Sequence, residues 1–216
     1  MRIYVIRHGE TEMNVKRVKQ GWMDAPLNQS GRELAVLTGR ALRGVHFDGC
    51  ISSPLCRARE TVEIVLRESG NAHVPVRTDD RLKEIHFGLE EGRPAQSSTM
   101  PQETAELFFK DAFRFPGFPE GESIQDLCGR TDAFMRDFLH GAKEGTWLIG
   151  THGCTLRALL NPFYEHPECF WQGCVPPNCS ITILEVTDGR PAIVESDRIF
   201  YDPALLVDHY RGIIRN

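Results

Sequence analysis

The chain has 216 residues, a formal net charge of −5 at pH 7, and 41% hydrophobic residues. This length fits one large or two small domains with a sizeable core, and the composition is that of an ordinary globular protein. The acidic balance argues against nucleic acid or an anionic membrane as a partner, so we expect any bound anion to be attracted by a local cluster of Arg and His.

The first predicted element is a buried strand at the N-terminus, because residues 3–6 form an apolar run rich in β-branched side chains. It is followed directly by Arg7, His8 and Gly9. A guanidinium binds phosphate or carboxylate through several hydrogen bonds, and an imidazole acts as base, nucleophile or ligand. Glycine, without a side chain, allows the backbone to come close to a ligand. Ligands bind at the carboxyl ends of strands in open α/β sheets, so this end is a candidate site.

A loop and a helix are predicted next. Residues 10–22 have no clean period and indicate a loop. Apolar residues then recur at helical spacing over residues 34–42, with Asn28 or Ser30 as the expected N-cap and Gly44 closing the helix.

The second predicted strand covers residues 47–52 and, like the first, is followed closely by a cationic side chain. Ser53 followed by Pro54 predicts an N-cap and the first turn of a helix that runs to about Glu68. Arg57 lies in the first turns of this helix, so a cationic group follows the second strand as well.

The middle of the chain is predicted to hold a short strand, a loop and a lid. Residues 74–78 indicate a strand, and Glu84 is a carboxylate set between apolar anchors in the loop that follows. From about 92 to 122 the chain is irregular around one short helix, and a segment of this kind is typical of a functional lid. We therefore predict a single domain over residues 1–216 with a lid-like insertion at about 92–122.

The lid is rich in phenylalanine. We predict that these rings pack the lid onto the domain rather than contact an apolar substrate. They are Phe108, Phe109, Phe113, Phe115 and Phe118.

The C-terminal half is predicted to complete an α/β fold. The longest helix begins at Ser123, and a buried strand at residues 146–151 ends in His152 and Gly153 before another helix. Residues 180–196 indicate a hairpin at the sheet edge.

We expect a cytoplasmic protein. No apolar run is long enough to cross a bilayer, and the N-terminus lacks the pattern of a signal peptide. The seven cysteines are scattered without a CxxC pair, which suits a reducing compartment. His166, Cys169, Cys174 and Cys179 match no usual zinc spacing, so we expect free thiols rather than a metal site.

Three predicted strands end in groups that suit a phosphate. These groups are Arg7 with His8, then Arg57, then His152, and in a right-handed, mostly parallel sheet the three ends share one edge. A charge-assisted hydrogen bond contributes about 1.5–3 kcal/mol, against about 0–1 kcal/mol for an exposed ion pair. A few such bonds hold a phosphoryl group on an acidic protein.

Several side chains near this edge are candidates for the chemistry. Ser52 and Ser53 lack an obvious carboxylate–histidine pair, and Cys154 lacks the glycine-rich loop and Arg of cysteine-dependent phosphatases. A histidine nitrogen attacks phosphorus directly when the imidazole is neutral and its other nitrogen is held by an acceptor. A carboxylic acid must then protonate the leaving oxygen and later deprotonate water, and Glu84 is the natural candidate.

The motifs fall in a fixed order along most of the chain. They are Arg7–His8–Gly9–Glu10–Thr11, Asn14, Gln20–Gly21, Ser53–Pro54–Leu55–Cys56–Arg57–Ala58, Leu82…Glu84…Phe87–Gly88, Gly121–Glu122–Ser123 and Thr151–His152–Gly153. As a set they resemble the histidine phosphatase superfamily, the phosphoglycerate-mutase-like family. The resemblance implies a three-layer α/β/α sandwich with a mostly parallel central sheet and an antiparallel edge strand.

The same resemblance implies roles for individual residues. His8 is the expected phosphorylated nucleophile, Glu84 the proton donor and acceptor, and Arg7, Arg57 and His152 the phosphate pocket. The expected remaining phosphate- and substrate-binding residues are Asn14, Gln20, Gly21 and Gly153. No metal or other cofactor is implied, because side-chain cations neutralise the charge.

Within this family the sequence favours a phosphatase. The lid sets Arg93, Lys110 and Arg114 among acidic residues, and Cys154 stands where mutases usually have Asn. We therefore predict a metal-independent phosphomonoesterase of the histidine acid phosphatase type. It is expected to act on a small phosphorylated metabolite through a phosphohistidine. The alternatives are a cofactor-dependent phosphoglycerate mutase and a catalytically silent phospho-ligand sensor.

Overall fold

A computed structural model describes residues 1–142 and 144–205, and within them the fold is built on one six-stranded sheet. The strands are β1 (Arg2–Arg7), β2 (Gly49–Ser52), β3 (Val76–Thr78), β4 (Thr146–Thr151), β5 (Ile181–Thr187) and β6 (Arg190–Arg198). Their order is β3-β2-β4-β1-β5-β6. The first four strands are parallel, and β5 runs antiparallel to both β1 and β6. The mostly parallel sheet with an antiparallel edge hairpin is therefore confirmed.

The described residues form six α-helices. They are α1 (Glu12–Val15), α2 (Gln29–Ala41), α3 (Cys56–Ser69), α4 (Gln102–Lys110), α5 (Ile124–Gly141) and α6 (Gly153–Leu160). Alternate residues of β1 point to opposite faces, as in any strand. Tyr4 and Ile6 share a core with α2 and α3, whereas Ile3 and Val5 share one with α5 and α6. This arrangement is the predicted three-layer α/β/α sandwich.

Helix starts follow the capping chemistry of the sequence. Asn28, one of the two predicted caps, accepts a hydrogen bond from the Gly31 amide at 2.8 Å. Ser123 begins α5 as predicted, in a capping box with Asp126. Each side chain satisfies amide groups that the first turn of a helix leaves without partners.

Two local predictions were wrong. Residues 10–22 contain the four-residue helix α1, which Thr11 and Asn14 cap reciprocally. The N-cap of α3 is Leu55 rather than Ser53. The Ser53 hydroxyl instead lies 2.8 Å from Nε2 of His152.

The predicted single domain also includes residue 143 and residues 206–216, which lie outside the described residues, so the domain boundaries stay a prediction. Within the described part of the chain, no helix is long and apolar enough to span a membrane.

A buried ion pair joins α6 to the edge hairpin. Nη2 of Arg157, whose side chain is fully buried in α6, lies 2.5 Å from Oδ2 of Asp197 in β6. Arg157 also donates to the Cys174 carbonyl at 2.9 Å and to the Tyr164 hydroxyl at 2.8 Å. Removing one partner of such a pair leaves a buried charge uncompensated, which is strongly destabilising.

We expect Asp197→Asn to lower the free energy of unfolding by about 3 kcal/mol, because Arg157 keeps its charge inside the protein. Chemical denaturation of the variant and the parent measures this loss. The matched control is Glu63→Gln, which removes an ion pair exposed on α3, 3.2 Å from Arg59. Its expected cost is within about 1 kcal/mol. Equal costs for the two variants would contradict the prediction.

Candidate active site

The carboxyl ends of β1, β2 and β4 meet at one edge of the sheet, beside a cavity of about 720 Å³. Eight of the nine residues predicted for the site line this cavity. They are Arg7, His8, Asn14, Gln20, Gly21, Arg57, Glu84 and Gly153. The ninth, His152, is buried with its ring centroid 5.1 Å from that of His8. The structure thus brings all the predicted residues together, while their catalytic roles stay predictions.

His8 is held in one orientation at the end of β1. Its amide donates to the Thr151 carbonyl of β4 at 2.9 Å, and its Nδ1 lies 2.6 Å from the carbonyl oxygen of Gly9. A carbonyl only accepts, so Nδ1 carries the proton of the neutral ring. Nε2 is then the unprotonated nitrogen.

The surroundings of His8 keep its ring neutral. Burial lowers the pKa of His8 well below its usual value, and the charges of Arg57 and Arg7 lower it further. The hydrogen bond to Gly9 acts in the opposite direction but is the smaller effect. A neutral imidazole retains a lone pair, which a nucleophile requires.

Arg7 and Arg57 are fixed by backbone carbonyls. Arg7 donates through Nη1 to the Pro176 carbonyl. Arg57 donates to the carbonyls of Gly21 and Met23, both at 2.8 Å. Burial lowers the pKa of Arg57 to about 10, so the group is still charged at neutral pH. Neither arginine is neutralised by a direct ion pair among the described residues, and the Nε atoms of both are buried without a partner.

His152 lies behind His8 and contacts Ser53. Its Nε2 is 2.8 Å from the Ser53 hydroxyl, and its Nδ1 is buried without a partner. Burial lowers the pKa of His152 well below its usual value, with further contributions from Arg57 and His8. Buried polar atoms without partners are rare in folded proteins, and here three nitrogens around His8 have none among the described residues, which indicates a place for a polar ligand.

Glu84 reaches the same cavity from the loop after β3, and its carboxylate is held by the start of α6. Oε1 accepts from the amide of Thr155 at 3.1 Å and from its hydroxyl at 3.2 Å. Oε2 accepts from the Cys154 amide at 3.3 Å. A Cβ placed on Gly153 would lie 3.6 Å from both Oε2 of Glu84 and Nε of Arg7. Gly153 therefore leaves space between the acid and the arginine.

Two side chains outside the cavity hydrogen-bond to the backbone of the loop that carries Glu84. Trp22 Nε1 and Arg130 Nη2 both donate to the Glu84 carbonyl, at 2.8 and 2.9 Å. Arg130 is itself paired with Glu122, whose carboxylate also accepts from the His86 amide at 2.8 Å. These contacts fix the backbone from which the carboxylate projects.

The turn after β1 is locked against the start of α2. A Cβ on Gly9 would lie 2.6 Å from the Gly31 carbonyl oxygen, and one on Gly31 would lie 2.1 Å from that of Glu10. The Gly9 amide donates to the Thr61 hydroxyl at 2.9 Å. This close approach requires glycine at both positions and fixes the backbone next to His8.

Of the remaining predicted binding residues, Asn14 and Gln20 share a small hydrogen-bond network, and Gly21 follows Gln20 directly. The hydroxyl of Thr11 donates to Oδ1 of Asn14 and lies 3.0 Å from Oε1 of Gln20. Gly21 has a φ of +52°, and a Cβ there would lie 2.1 Å from Oε1 of Glu91. Asn14, Gln20 and Gly21 all line the cavity, and the Gly21 carbonyl accepts from Arg57.

The 92–122 segment covers one side of the cavity and is fastened at both ends. The Gly92 amide donates to the Lys19 carbonyl at 2.9 Å, and the Glu122 amide to the His86 carbonyl at 2.9 Å. The buried carboxylate of Glu90 lies 2.8 Å from Lys19 Nζ and also accepts from Thr99. The phenylalanines of this segment pack into a core with Phe170 and Trp171. Three of them, Phe108, Phe109 and Phe118, also line the cavity, so the choice between packing and substrate contact stays a prediction.

Sequence reasoning did not find the residues that support the site. Thr61, Thr155 and Arg130 act through contacts with residues far from them in sequence. The carbonyl of Pro176 likewise reaches Arg7 from 169 positions away. The one available signal was the position of Thr155, two residues after the His152–Gly153 pair.

Across the described residues, no three His, Cys, Asp or Glu side chains are grouped closely enough to hold a metal ion. Cys169 is exposed, Cys179 is buried, and Cys174 contacts Arg157. The four residues considered for a metal from their spacing therefore do not form a common site.

The depressed pKa values of His8 and His152 predict how stability changes with pH. In the unfolded chain a histidine has a pKa of about 6.5, so below this pH the unfolded state takes up protons that the folded state does not. The stability contributed by the neutral rings is thus fully present above about pH 6.5 and is lost as the pH falls toward the lower folded pKa. We expect a loss of up to about 1.4 kcal/mol per pH unit for each histidine.

Chemical denaturation at several pH values between about 7.5 and 5.5 measures the slope of the free energy of unfolding against pH. His152→Gln should reduce it by up to about 1.4 kcal/mol per pH unit, because one titrating group is gone. The exposed His46 provides the control, and His46→Gln should leave the slope unchanged. The prediction would be contradicted if the free energy of unfolding fell equally steeply with pH in the parent and in His152→Gln.

The fold and the site define a three-layer α/β protein with a cavity lined by Arg7, His8 and Arg57 at the carboxyl edge of its sheet. The chain belongs to the histidine phosphatase superfamily, because the model of branch 1 of this superfamily matches residues 3–198.

Individual relatives are similar over most of the chain. The broad-specificity phosphatase YOR283W of Saccharomyces cerevisiae is 31% identical over 198 residues, 90% of this chain and 84% of that protein. The probable phosphoglycerate mutase GpmB of Salmonella arizonae is 29% identical over 190 residues, 88% of this chain and 87% of that protein. The solved structure of Bacillus stearothermophilus YhfR has a TM-score of 0.80 and 32% identity, covering 92% of this chain and 97% of that one. The chain is therefore a phosphatase- or phosphoglycerate-mutase-type enzyme.

Proposed function

We propose that this protein is a metal-independent phosphomonoesterase of the histidine acid phosphatase type, acting on a small phosphorylated metabolite. The proposed intermediate is a phosphohistidine on Nε2 of His8. The observation that carries the proposal is the contact of 2.6 Å between Nδ1 of His8 and the Gly9 carbonyl, in a ring that burial keeps neutral. This contact leaves Nε2 as the nitrogen with a free lone pair on a residue that lines the cavity.

The reaction has two steps. Nε2 of His8 attacks phosphorus, the bond from phosphorus to the ester oxygen breaks, and Glu84 gives its proton to the departing alcohol. Water then attacks the phosphohistidine while Glu84 takes a proton from it, so phosphate leaves and the neutral ring of His8 is restored. The same carboxyl group acts first as acid and then as base.

Three side chains stabilise the charge that develops on the transferring phosphoryl group. Arg7 and Arg57 supply fixed positive charges, and each has a buried Nε without a partner. The Ser53 hydroxyl donates to Nε2 of His152 in this proposal, which makes Nδ1–H a donor for a phosphate oxygen. Donors already fixed in place cost little reorganisation, and each contributes about 10²–10³ in rate. Asn14, Gln20, Gly21 and Gly153 complete the proposed binding surface.

The charges of the 92–122 segment favour a phosphatase over a mutase. Lys110 is paired with Glu106 at 2.7 Å, and Arg114 with Asp111 at 3.7 Å. Arg93 donates to the Leu89 carbonyl at 3.1 Å. A mutase must hold a second phosphate group as well, and none of these three cations lines the cavity, so they are poorly placed to bind it. In this proposal the segment is a lid that selects the substrate.

An acid-labile phosphoprotein is the test of this mechanism. The enzyme is mixed with a ³²P-labelled phosphomonoester in the presence of a chelator, quenched in base or in acid, and the label is followed. Label that survives base and is lost in acid, on a peptide containing His8, supports the proposal. Label that is stable in acid, or turnover that the chelator abolishes, would contradict it.

The similarity to GpmB favours phosphoglycerate mutase as a second candidate. Incubation with 3-phosphoglycerate distinguishes the two functions. A phosphatase releases inorganic phosphate, whereas a mutase produces 2-phosphoglycerate without net release. A silent sensor of phosphorylated ligands would do neither.

A further inference from the structure

Much of the cavity wall is apolar, which phosphate chemistry alone does not require. Six large apolar side chains from the 92–122 segment and the loop after α6 line the cavity together with the site residues. They are Met100, Phe108, Phe109, Phe118, Trp171 and Val175. Large apolar walls are typical of pockets that bury the body of an organic ligand.

The aromatic part of this wall is rigid. The ring centroids of Phe108 and Phe118 lie 5.0 Å apart, and those of Phe109 and Trp171 lie 5.4 Å apart. The indole Nε1 of Trp171 donates to the Phe108 carbonyl at 2.8 Å. The one polar atom of this indole is therefore satisfied within the protein, and the ring is available as an apolar surface. A wall fixed in advance loses little conformational entropy when a ligand binds.

Among the described residues, this wall offers no unpaired cation for a second anionic group. Lys19 lines the cavity, but its ammonium group is held by the buried Glu90 and by the Ser97 carbonyl. Lys110 and Arg114 are paired with carboxylates, as described above. Glu106, the partner of Lys110, itself lines the cavity. Against the described part of this wall, a substrate carboxylate or second phosphate would meet this acid and no cation that is free of a partner.

The remaining polar groups of this wall are neutral. Gln96, Ser98 and Gln102 line the cavity from the same segment. Amides and hydroxyls can contact a hydroxyl or ether of a ligand without selecting for charge.

Resting on the proposed function, we propose that the substrate class is the phosphate monoesters of uncharged, largely apolar alcohols with a body about the size of an aromatic ring. The phosphoryl group occupies the Arg7–His8–Arg57 end, and the organic group lies against Phe109 and Trp171. Esters that carry a second anionic group are discriminated against.

The test compares three monoesters of primary alcohols, so that the leaving-group chemistry is similar. These are 3-phenylpropyl phosphate, glycerol 3-phosphate and 3-phosphoglycerate. We expect kcat/KM to fall in that order, by at least about 30-fold from the first to the last, because burying one aromatic ring alone accounts for such a factor.

A matched pair of variants assigns the preference to the cavity wall. Phe109 and Phe113 are both half-buried rings of the same segment, but Phe109 lines the cavity and Phe113 packs against Phe170. We expect Phe109→Ala to reduce the ratio of kcat/KM for phenylpropyl to glycerol phosphate by about 5- to 10-fold. Phe113→Ala should leave this ratio unchanged, even if it destabilises the protein.

A third variant tests the discrimination by charge. Glu106→Gln removes the carboxylate from the wall and frees Lys110. It should raise the ratio of kcat/KM for 3-phosphoglycerate to kcat/KM for 3-phenylpropyl phosphate about 3-fold, a modest factor because the pair is largely exposed.

The outcomes separate this inference from the proposed function. An active phosphatase that prefers 3-phosphoglycerate, or whose preference responds equally to Phe109→Ala and Phe113→Ala, overturns the substrate class alone. Absence of phosphate release from all three esters overturns the proposed function as well.

Discussion

His8→Ala is expected to lose phosphatase activity by at least about 10⁴-fold and to take up no phosphoryl label. The reason is geometric. Nε2 of His8 is the unprotonated nitrogen of a ring held by the Gly9 carbonyl at 2.6 Å, and Arg7, Arg57 and His152 surround it. Each of those neighbours supplies positive charge or a hydrogen-bonding group. Burial lowers the pKa of His152, as it lowers the pKa of His8. Steady-state release of phosphate, with acid- and base-quenched labelling, measures both losses.

His8→Asn provides a second form of this test. The asparagine amide can still donate toward the Gly9 carbonyl, so local folding is preserved while the nucleophilic nitrogen is absent. The exposed His46 is the control, and His46→Ala should retain full activity. If either His8 variant turned over at a rate near that of the parent, the phosphohistidine mechanism would be rejected.

Glu84→Gln is expected to lower kcat by about 10²–10⁴-fold with little change in KM. The amide oxygen of glutamine can accept the same hydrogen bonds from Ile85 and Thr155 that Oε1 of Glu84 accepts. The amide, however, neither protonates the leaving oxygen nor deprotonates water. The loss should therefore appear in the chemical steps rather than in binding, and initial rates at several substrate concentrations separate the two.

The leaving group sharpens this prediction. An aryl phosphate with an acidic phenol needs no proton donor in the first step, so Glu84→Gln should form the phosphoenzyme in a rapid burst and then stall. The control is Glu103→Gln, at an exposed position of α4, which should leave both the burst and the steady-state turnover unchanged. Equal slowing of the burst for acidic and weakly acidic leaving groups would exclude Glu84 as the proton donor.

The sequence predicted those parts of the site in which side-chain type and strand position coincide. β1 and β4 are apolar runs that end in a histidine followed by glycine, and parallel strands bring such ends to one edge. It did not predict α1, because four residues contain too little periodicity. Ser53 was misread as a helix cap because the local pattern is correct, whereas its hydroxyl is engaged by His152 from the neighbouring strand end.

The contacts that fix the reactive groups could not have been predicted in this way. Arg7 and Arg57 are held by carbonyl oxygens of Pro176, Gly21 and Met23, and every residue has such an oxygen. Arg130 reaches the Glu84 backbone from α5, 46 residues away. These contacts depend on the tertiary arrangement and not on any local pattern.

The way residues 92–122 are attached makes the protein suitable for building chimeras. Main-chain hydrogen bonds hold the segment at its start, from Gly92 to Lys19, and at its finish, from Glu122 to His86. The groups proposed to react with phosphorus come instead from strand ends and from the Glu84 loop. If a homologous stretch were grafted between these two attachment points, we expect the chimera to keep the proposed phosphoryl-transfer groups of this protein and to take its substrate preference from the grafted stretch.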